Sequence, residues 1–322
     1  MGSNQKPLKR PTNIGMSQIL PIGGGKGGAG KSFVTAGLGA LLAKQRKRVV
    51  LVDLDLGGSN LHTMVGVKPP DNGLHRFMDK SVSDLEQTAV PTLIPNLFLI
   101  SSAQCSMEVA NLYYQQRIRI IKALQTLPYD YVLLDLGAGT SFNTLDFFLT
   151  SDLGIMVFTP EPTSVENTIR FIRTVYLRKL KLLIKKHSFH SAVKDSVDQA
   201  HRGELNTPDV IDRVLRYDPE KEALLRDSLA RLQFSMILNQ FRKTNDAALG
   251  EKLRIVCSRH FYSDFEFLGN IGYDDRVHDS ISLKKLFVHK YPYTETATDL
   301  KGITQELVSV CRNKRRPQVA KP

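Results

Sequence analysis

The stretch Gly25-Lys26-Gly27-Gly28-Ala29-Gly30-Lys31-Ser32 has the residue types and the spacing to hold phosphate. Gly25, Gly30, Lys31 and Ser32 fit G-x-x-x-x-G-K-[ST], in which backbone N–H groups cradle phosphates, the lysine reaches their outer oxygens and the hydroxyl ligates Mg²⁺. A nucleoside triphosphate is the expected ligand. The loop carries a second lysine, Lys26, near its start. Because Lys31 already serves the loop's own phosphates, Lys26 is expected to reach a nucleotide held by another subunit. Hydrolysis would then depend on dimerisation.

Two more segments carry chemistry. Val52-Asp53-Leu54-Asp55, followed by Gly57-Gly58-Ser59-Asn60, sets two carboxylates at the end of an apolar run. A carboxylate there can order Mg²⁺ waters or position a nucleophilic water, and the glycines let the loop respond to the terminal phosphate. Tyr131 to Leu136 is a second apolar run, containing Asp135 and followed by Gly137 and Gly139. Alone, each acidic site could be a solvated loop charge. Two such strands in order after a phosphate loop make the catalytic reading the stronger one.

These residues need elements to place them. Gln18 to Gly23 reads as a strand into the loop, Lys31 to Lys44 as a helix, and Arg48 to Asp55 as a strand buried on both faces. Pro21 lacks the N–H that a central strand donates, so it is expected at a strand end or beside a bulge. Further strands are expected at Leu97 to Ser101, Tyr129 to Leu136, Leu153 to Thr159, Phe234 to Gln240 and Phe265 to Ile271, with helices at Met107 to Leu127 and Asn245 to Phe261 between some of them. This alternation predicts an α/β fold, a doubly wound, mostly parallel sheet with ligands at the carboxyl ends of its strands.

The alternation fails between Thr163 and Arg231. Ser164 to Lys186 reads as one long helix, and two short helices are expected to open at Thr207-Pro208 and Asp218-Pro219, where an N-cap residue precedes proline. The predicted organisation is a basic N-terminal segment at 1–16, a nucleotide-binding domain at 17–311 interrupted by a helical insertion at 177–232, and a basic tail at 312–322.

Composition narrows the classes. Of 322 residues, 44 are Lys or Arg and 32 Asp or Glu, a formal charge of +12, which favours nucleic acid, an anionic membrane surface or an acidic partner. Cys105, Cys257 and Cys311 are scattered, which suggests neither a disulfide framework nor a metal site. No apolar run approaches the ~20 residues of a spanning helix. Lys6, Lys9 and Arg10 precede no apolar core of a secretion signal, so a cytoplasmic protein is expected.

The lysine-bearing loop, the segment Asp53-x-Asp55-x-x-x-x-Asn60 and Asp135-x-Gly137-x-Gly139 resemble the deviant Walker A P-loop ATPases of the MinD/ParA class, a SIMIBI-type fold. Ile237-Leu238-Asn239-Gln240, Phe267-Leu268-Gly269-Asn270-Ile271 and Leu286-Phe287-Val288-x-x-Tyr291-Pro292 are most similar to the FlhG (FleN) branch, which regulates flagellar number and placement. The likeness covers roughly 17–176 and 233–311. It implies an ATP- and Mg²⁺-dependent homodimer whose slow hydrolysis a protein partner stimulates.

By that resemblance Lys26 enters the facing subunit's site, Lys31 holds phosphates, Asp55 orients the attacking water, Ser32 binds the metal, and Asp53 and Asp135 support its shell. Gly25, Gly27, Gly28, Ala29, Gly30, Phe33 and Asn60 join the nucleotide site, with Asn239 on the adenine edge. The chain departs from relatives at Leu136, where they carry a small hydroxyl residue, and at Gly272, where they often have proline. The D-Q-A-x-x-L-R segment with which FlhG proteins stimulate a GTPase is also missing from the N-terminus.

MinD relatives bind membrane through a C-terminal amphipathic helix, and ParA relatives bind DNA through basic surfaces. Asp299 to Val310 has helical apolar spacing, and packing on the sheet is its favoured role. Tyr176 to Lys186 pairs leucines with five cations and is the better candidate for a surface anchor, on anionic membrane or nonspecific DNA, but packing of its leucines against the inserted helices is its favoured role. Two rival functions share the loop: a nucleotide-binding adaptor acting through the insertion, and an Mrp-type iron–sulfur carrier, for which Cys257 and Cys311 are wrongly spaced.

Overall fold

The computed structural model describes residues 17–105, 112–202 and 207–315. Its eight strands are β1 (Gln18–Gly23), β2 (Val49–Leu54), β3 (Val90–Pro91), β4 (Leu97–Ile100), β5 (Tyr131–Leu136), β6 (Leu153–Phe158), β7 (Gln233–Phe241) and β8 (Asp264–Gly272). They form one sheet in the order β3-β4-β2-β5-β1-β6-β7-β8. Every neighbouring pair is parallel except β3 with β4. The doubly wound α/β sheet expected from the alternation is therefore present, with β3 as a short antiparallel edge that two residues could not announce.

Both faces of the sheet are apolar because both are covered. Along β2, Val50, Val52 and Leu54 join one cluster, with Phe147, Phe171, Ile172 and Tyr176 from helices Phe142–Phe148 and Pro162–Lys186. Val49 and Leu51 face the other way, into a cluster with Val34, Leu38 and Leu42 of helix Lys31–Lys44 and Leu300, Ile303 and Leu307 of helix Glu295–Arg315. The last helix lies on the sheet, as its spacing implied. It runs on to Arg315, so residues 312–315 are helix and not part of the basic tail.

Pro21 corrects an expectation. It stands inside β1, in register with Leu134 of β5, and neither ends the strand nor sits at a bulge. β1 meets β6 only from Ile22 onward, paired with Ile155. The ladder on that side begins just beyond the residue that cannot donate.

Between β6 and β7 the chain forms the 25-residue helix Pro162–Lys186 and then three helices, Ser191–His201, Thr207–Tyr217 and Glu222–Ala230. The first of the three was not expected. Its N-cap is His190, whose ring accepts from Ala192 N at 3.2 Å, and histidine is a weak start signal. The helix expected at Asp218-Pro219 begins as a 3-10 turn, Pro219–Lys221. Val193, Val197, Val210, Val214, Leu225 and Leu229 belong to the same cluster as the sheet, so these helices share the domain's core. The helix expected from Met107 begins, among the described residues, at Tyr114.

One buried charge ties three helices together. Asp146 accepts from Arg178 Nε at 2.6 Å and NH2 at 2.9 Å. Arg117 Nε lies 2.6 Å from Asp146 Oδ2, the oxygen that also accepts from Arg178 NH2, as an ion pair without hydrogen-bond alignment, and Arg117 NH1 donates to Asn143 at 2.9 Å. All three charged side chains are nearly sealed from solvent. Asp146→Ala would leave two buried guanidiniums without their anion, a change that costs about 3–5 kcal/mol. Chemical denaturation should show a lowered midpoint with an unchanged slope.

Candidate functional site

The phosphate loop runs from the end of β1 to helix Lys31–Lys44. Gly30 caps that helix in the left-handed region (φ 88°), and no side chain caps it, so the first-turn N–H groups and the positive helix end face the loop's concavity. Gly25 is set by contact: a Cβ there would lie 2.1 Å from the Asn167 carbonyl oxygen. Any larger residue would push the loop away from helix Pro162–Lys186.

Strand register assembles the charges. Asp53 on β2 and Asp135 on β5 are direct neighbours, both buried. Burial pushes the Asp135 carboxyl up to about 7, aided by the charge of Asp53 and opposed by a Ser32 hydrogen bond and by Lys31. Thr35 Oγ1, one helical turn beyond Lys31, also donates to Asp135 at 3.3 Å. Lys31 is itself buried, which lowers its pKa, while Asp135 and Asp55 hold its charge in place.

Asp55 stands where the two glycine loops meet. A Cβ on Gly137 would lie 3.0 Å from one of its carboxylate oxygens, and a Cβ on Gly58 3.3 Å from the other. Gly139 N donates back to Gly24 O at 3.3 Å, joining the second glycine loop to the phosphate loop.

Asp53, expected to support a metal shell, is held by the loop that follows it. Its carboxylate accepts from Ser59 Oγ at 2.7 Å, Leu61 N at 3.2 Å and Asp55 N at 3.2 Å. It therefore shapes the loop that carries Asp55, and burial still raises its pKa to about 6 against those hydrogen bonds. Ser32 and Asp135 are the residues that fit Mg²⁺. Among the described residues no three His, Cys, Asp or Glu side chains converge to hold a metal, so a cation here would need phosphate oxygens and waters as well.

The expected adenine reader, Asn239, spends its amide on the loop: Nδ2 donates to Ala29 O at 2.9 Å. Gln240 beside it, in the left-handed region (φ 58°), donates to Gly28 O at 2.9 Å. Two amides at the end of β7 thus hold two loop carbonyls and turn the intervening N–H groups the other way. Gln240 carried no role in the sequence reading; its place in an Asn-Gln pair at a strand end was the available signal. Asn60 Nδ2 donates to Gly58 O at 2.8 Å, and the Phe33 ring packs edge-on against Phe287 at 5.4 Å. Phe33, Asn60, Asn239 and Gln240 line one cleft of about 460 Å³ with Gly27, Gly28, Gly30, Lys31, Ser32 and Asp55. Its remaining wall, Gly272, Tyr273, Asp274, Val277, His278 and Ile281, was not anticipated apart from Gly272.

Lys26 sits at the rim, partly exposed. Its Nζ is 3.9 Å from Glu161, which is half exposed and accepts from Thr159. Such a long, solvated ion pair is weak and easily exchanged. Cys257 and Cys311 lie in clusters on opposite faces of the sheet, so they cannot share an iron–sulfur group within the chain. A larger cleft, about 910 Å³, opens among Asp152, Asp227, Asp264 and Glu266, with none of the loop residues in its lining.

Comparison with known proteins places these features. A family model for the CobQ/CobB/MinD/ParA nucleotide binding domain matches residues 20–287. The septum site-determining protein MinD of Synechocystis is 31% identical over 159 residues, 49% of this chain and 59% of the relative. The flagellum site-determining protein YlxH of Helicobacter pylori is 31% identical over 172 residues, 50% of this chain and 54% of that one. The chain thus spans a little over half the length of these curated relatives. Among solved structures, MinD of Pyrococcus horikoshii complexed with Mg-ADP superposes with a TM-score of 0.61 and 20% identity, over 94% of this chain and all of the other.

The raised carboxyl of Asp135 has a testable sign. Its ordinary pKa is 3.8 and its folded value about 7, so between those values the folded state holds more protons and stability falls as pH rises. In nucleotide- and metal-free protein, Asp135→Asn should melt higher than wild type at pH 8, by several degrees. The advantage should vanish near pH 4.

Proposed function

Because the chain belongs to the CobQ/CobB/MinD/ParA nucleotide-binding family, we propose that it is a Mg²⁺-dependent ATPase working as a dimerising spatial switch. The observation that carries this reading is the position of Asp55, held between the glycines of two loops with its charge acting on Lys31. Lys31 and the loop N–H groups bind the phosphates. Ser32 and Asp135 would hold the cation, which would supply positive charge to offset what develops on the phosphates. Asp55 orients the attacking water, and closure of the Gly58 and Gly137 loops around it shields that water from bulk solvent.

Lys26 supplies the coupling. In a single chain it rests on Glu161. In an ATP-bound homodimer it leaves that weak pair and places its ammonium on the phosphates of the facing subunit. An arginine supplied in this way is worth about 10³ to 10⁵ in rate, and lysine, a point charge without a bidentate fork, gives less. The enzyme is accordingly slow until a protein partner stimulates it.

The likeness to a septum-placing protein and to a flagellum site-determining protein supports a role in positioning a cellular assembly, flagella among the candidates. The switch works in the cytoplasm, where the ATP-bound dimer engages a surface, an anionic membrane at its inner face or pole in preference to nonspecific DNA. Release follows hydrolysis.

ATP turnover and solution mass test the reading together. Lys26→Ala should lower turnover by at least about tenfold while nucleotide binding persists. Asp55→Ala should also stop turnover but remain a dimer with ATP. Wild-type turnover in Lys26→Ala, or a monomeric Asp55→Ala protein with ATP, would sink the trans-lysine mechanism.

A further inference from the structure

We propose that an aromatic and cationic ridge beside the second glycine loop is the surface that this protein lays on an anionic lipid bilayer. The inference deepens the surface-bound switch above and rests on that reading. Three elements build the ridge. Tyr113 and Tyr114, at the start of helix Tyr114–Gln125, are 79% and 54% exposed, and Phe142, first residue of helix Phe142–Phe148, is 61% exposed. Leu182, on the long helix, is 37% exposed.

Two of these rings, Phe142 and Tyr114, rest on buried arginines. The Arg178 guanidinium lies 5.1 Å from the Phe142 ring centre, and that of Arg117 5.6 Å from the Tyr114 ring. Both arginines are fixed by the buried Asp146. Lys185 approaches the Tyr114 ring at 5.3 Å and, like Lys186, is exposed. Between Arg178 and Lys186 the chain itself has no aspartate or glutamate, and although Lys179 and Lys181 pair with Asp152 and Asp198, Lys185 and Lys186 stay exposed beside the rings. The ridge therefore offers apolar rings flanked by cations, the pairing that lets rings enter the headgroup layer while ammonium groups stay at lipid phosphates.

Charge and shape select the lipid surface. The cations call for an anionic partner, and at +12 the whole chain is drawn to one. Duplex DNA bound through its phosphates would satisfy the lysines, but its bases are paired and stacked and give the four projecting side chains no apolar layer to enter. A peptide hot spot would seat its anchors in a pocket, whereas these residues stand out and none lines the clefts described above. The C-terminal helix offers no alternative, since Leu300, Ile303 and Leu307 are buried on the sheet. The long helix is not an amphipathic anchor by itself either: Leu177 and Leu180 are buried, and the exposed apolar surface comes mainly from its neighbours.

Vesicle flotation tests this, using phosphatidylcholine alone and mixed with phosphatidylglycerol, with ATP turnover and solution mass measured in parallel without lipid. Wild type with ATP should float with the mixed vesicles only, and less as salt rises. The double variant Tyr113→Ala/Tyr114→Ala and the single variant Phe142→Ala should each bind at least about tenfold more weakly. Lys185→Glu/Lys186→Glu should abolish the preference for anionic lipid. Tyr293→Ala, removing a ring that is 95% exposed and outside the ridge, should change nothing. No flotation of wild type, equal flotation of the aromatic variants, or loss of ATP-dependent dimerisation in those variants would each overturn the proposal. Failure of lipid-free turnover alone would instead overturn the ATPase reading.

Discussion

Two carboxylates placed side by side in the middle of an apolar sheet set the terms for this site. Asp53 and Asp135 are register partners on β2 and β5, both buried; burial raises the cost of ionising each, and the charge of Asp53 adds to that of Asp135. Such a pair persists only if the surroundings offset it. Asp53 is offset by hydrogen bonds from the loop it shapes, Asp135 by Ser32, Thr35 and the nearby charge of Lys31. The strain is thus spread over the same residues that would meet phosphate and metal. A bound cation would relieve it, so that cation binding would stabilise the fold.

Much of this was legible beforehand, for identifiable reasons. β1, β2 and β5 are nearly continuous apolar runs that end in glycine or aspartate, so strand, loop and carboxylate positions followed from sequence alone. Helix Lys31–Lys44 was bounded by Gly30 and its own apolar content. What escaped was set by contacts between distant segments. Helix Ser191–His201 starts on a histidine, and its stability comes from valines packed into the common core. The roles of Asp53 and Gln240 depend on which backbone groups the folded loops bring to them. Pro21 was tolerable for a reason only the ladder reveals: the partner on one side begins a residue later.

The arrangement also separates tasks by height in the sheet. Apolar packing on both faces fixes the strands, and their carboxyl ends carry every group assigned a chemical role. Glycines there serve two different needs. Gly25 and Gly30 admit close neighbours, Asn167 and Asn239, while Gly58 and Gly137 leave Asp55 room to sit between two loops. Substitution in the first pair would displace the phosphate loop; in the second it would displace the Asp55 carboxylate.

β7 gives the helices inserted before it a mechanical place. The strand starts directly after them, at Gln233, and carries near its far end Asn239 and Gln240, whose amides hold Ala29 and Gly28. Insertion, strand and phosphate loop therefore stand in series along one stiff element. A tug on the outer helices is felt at the loop as tension on two carbonyls, and the curvature of the cradle becomes a gauge of what grips the far end.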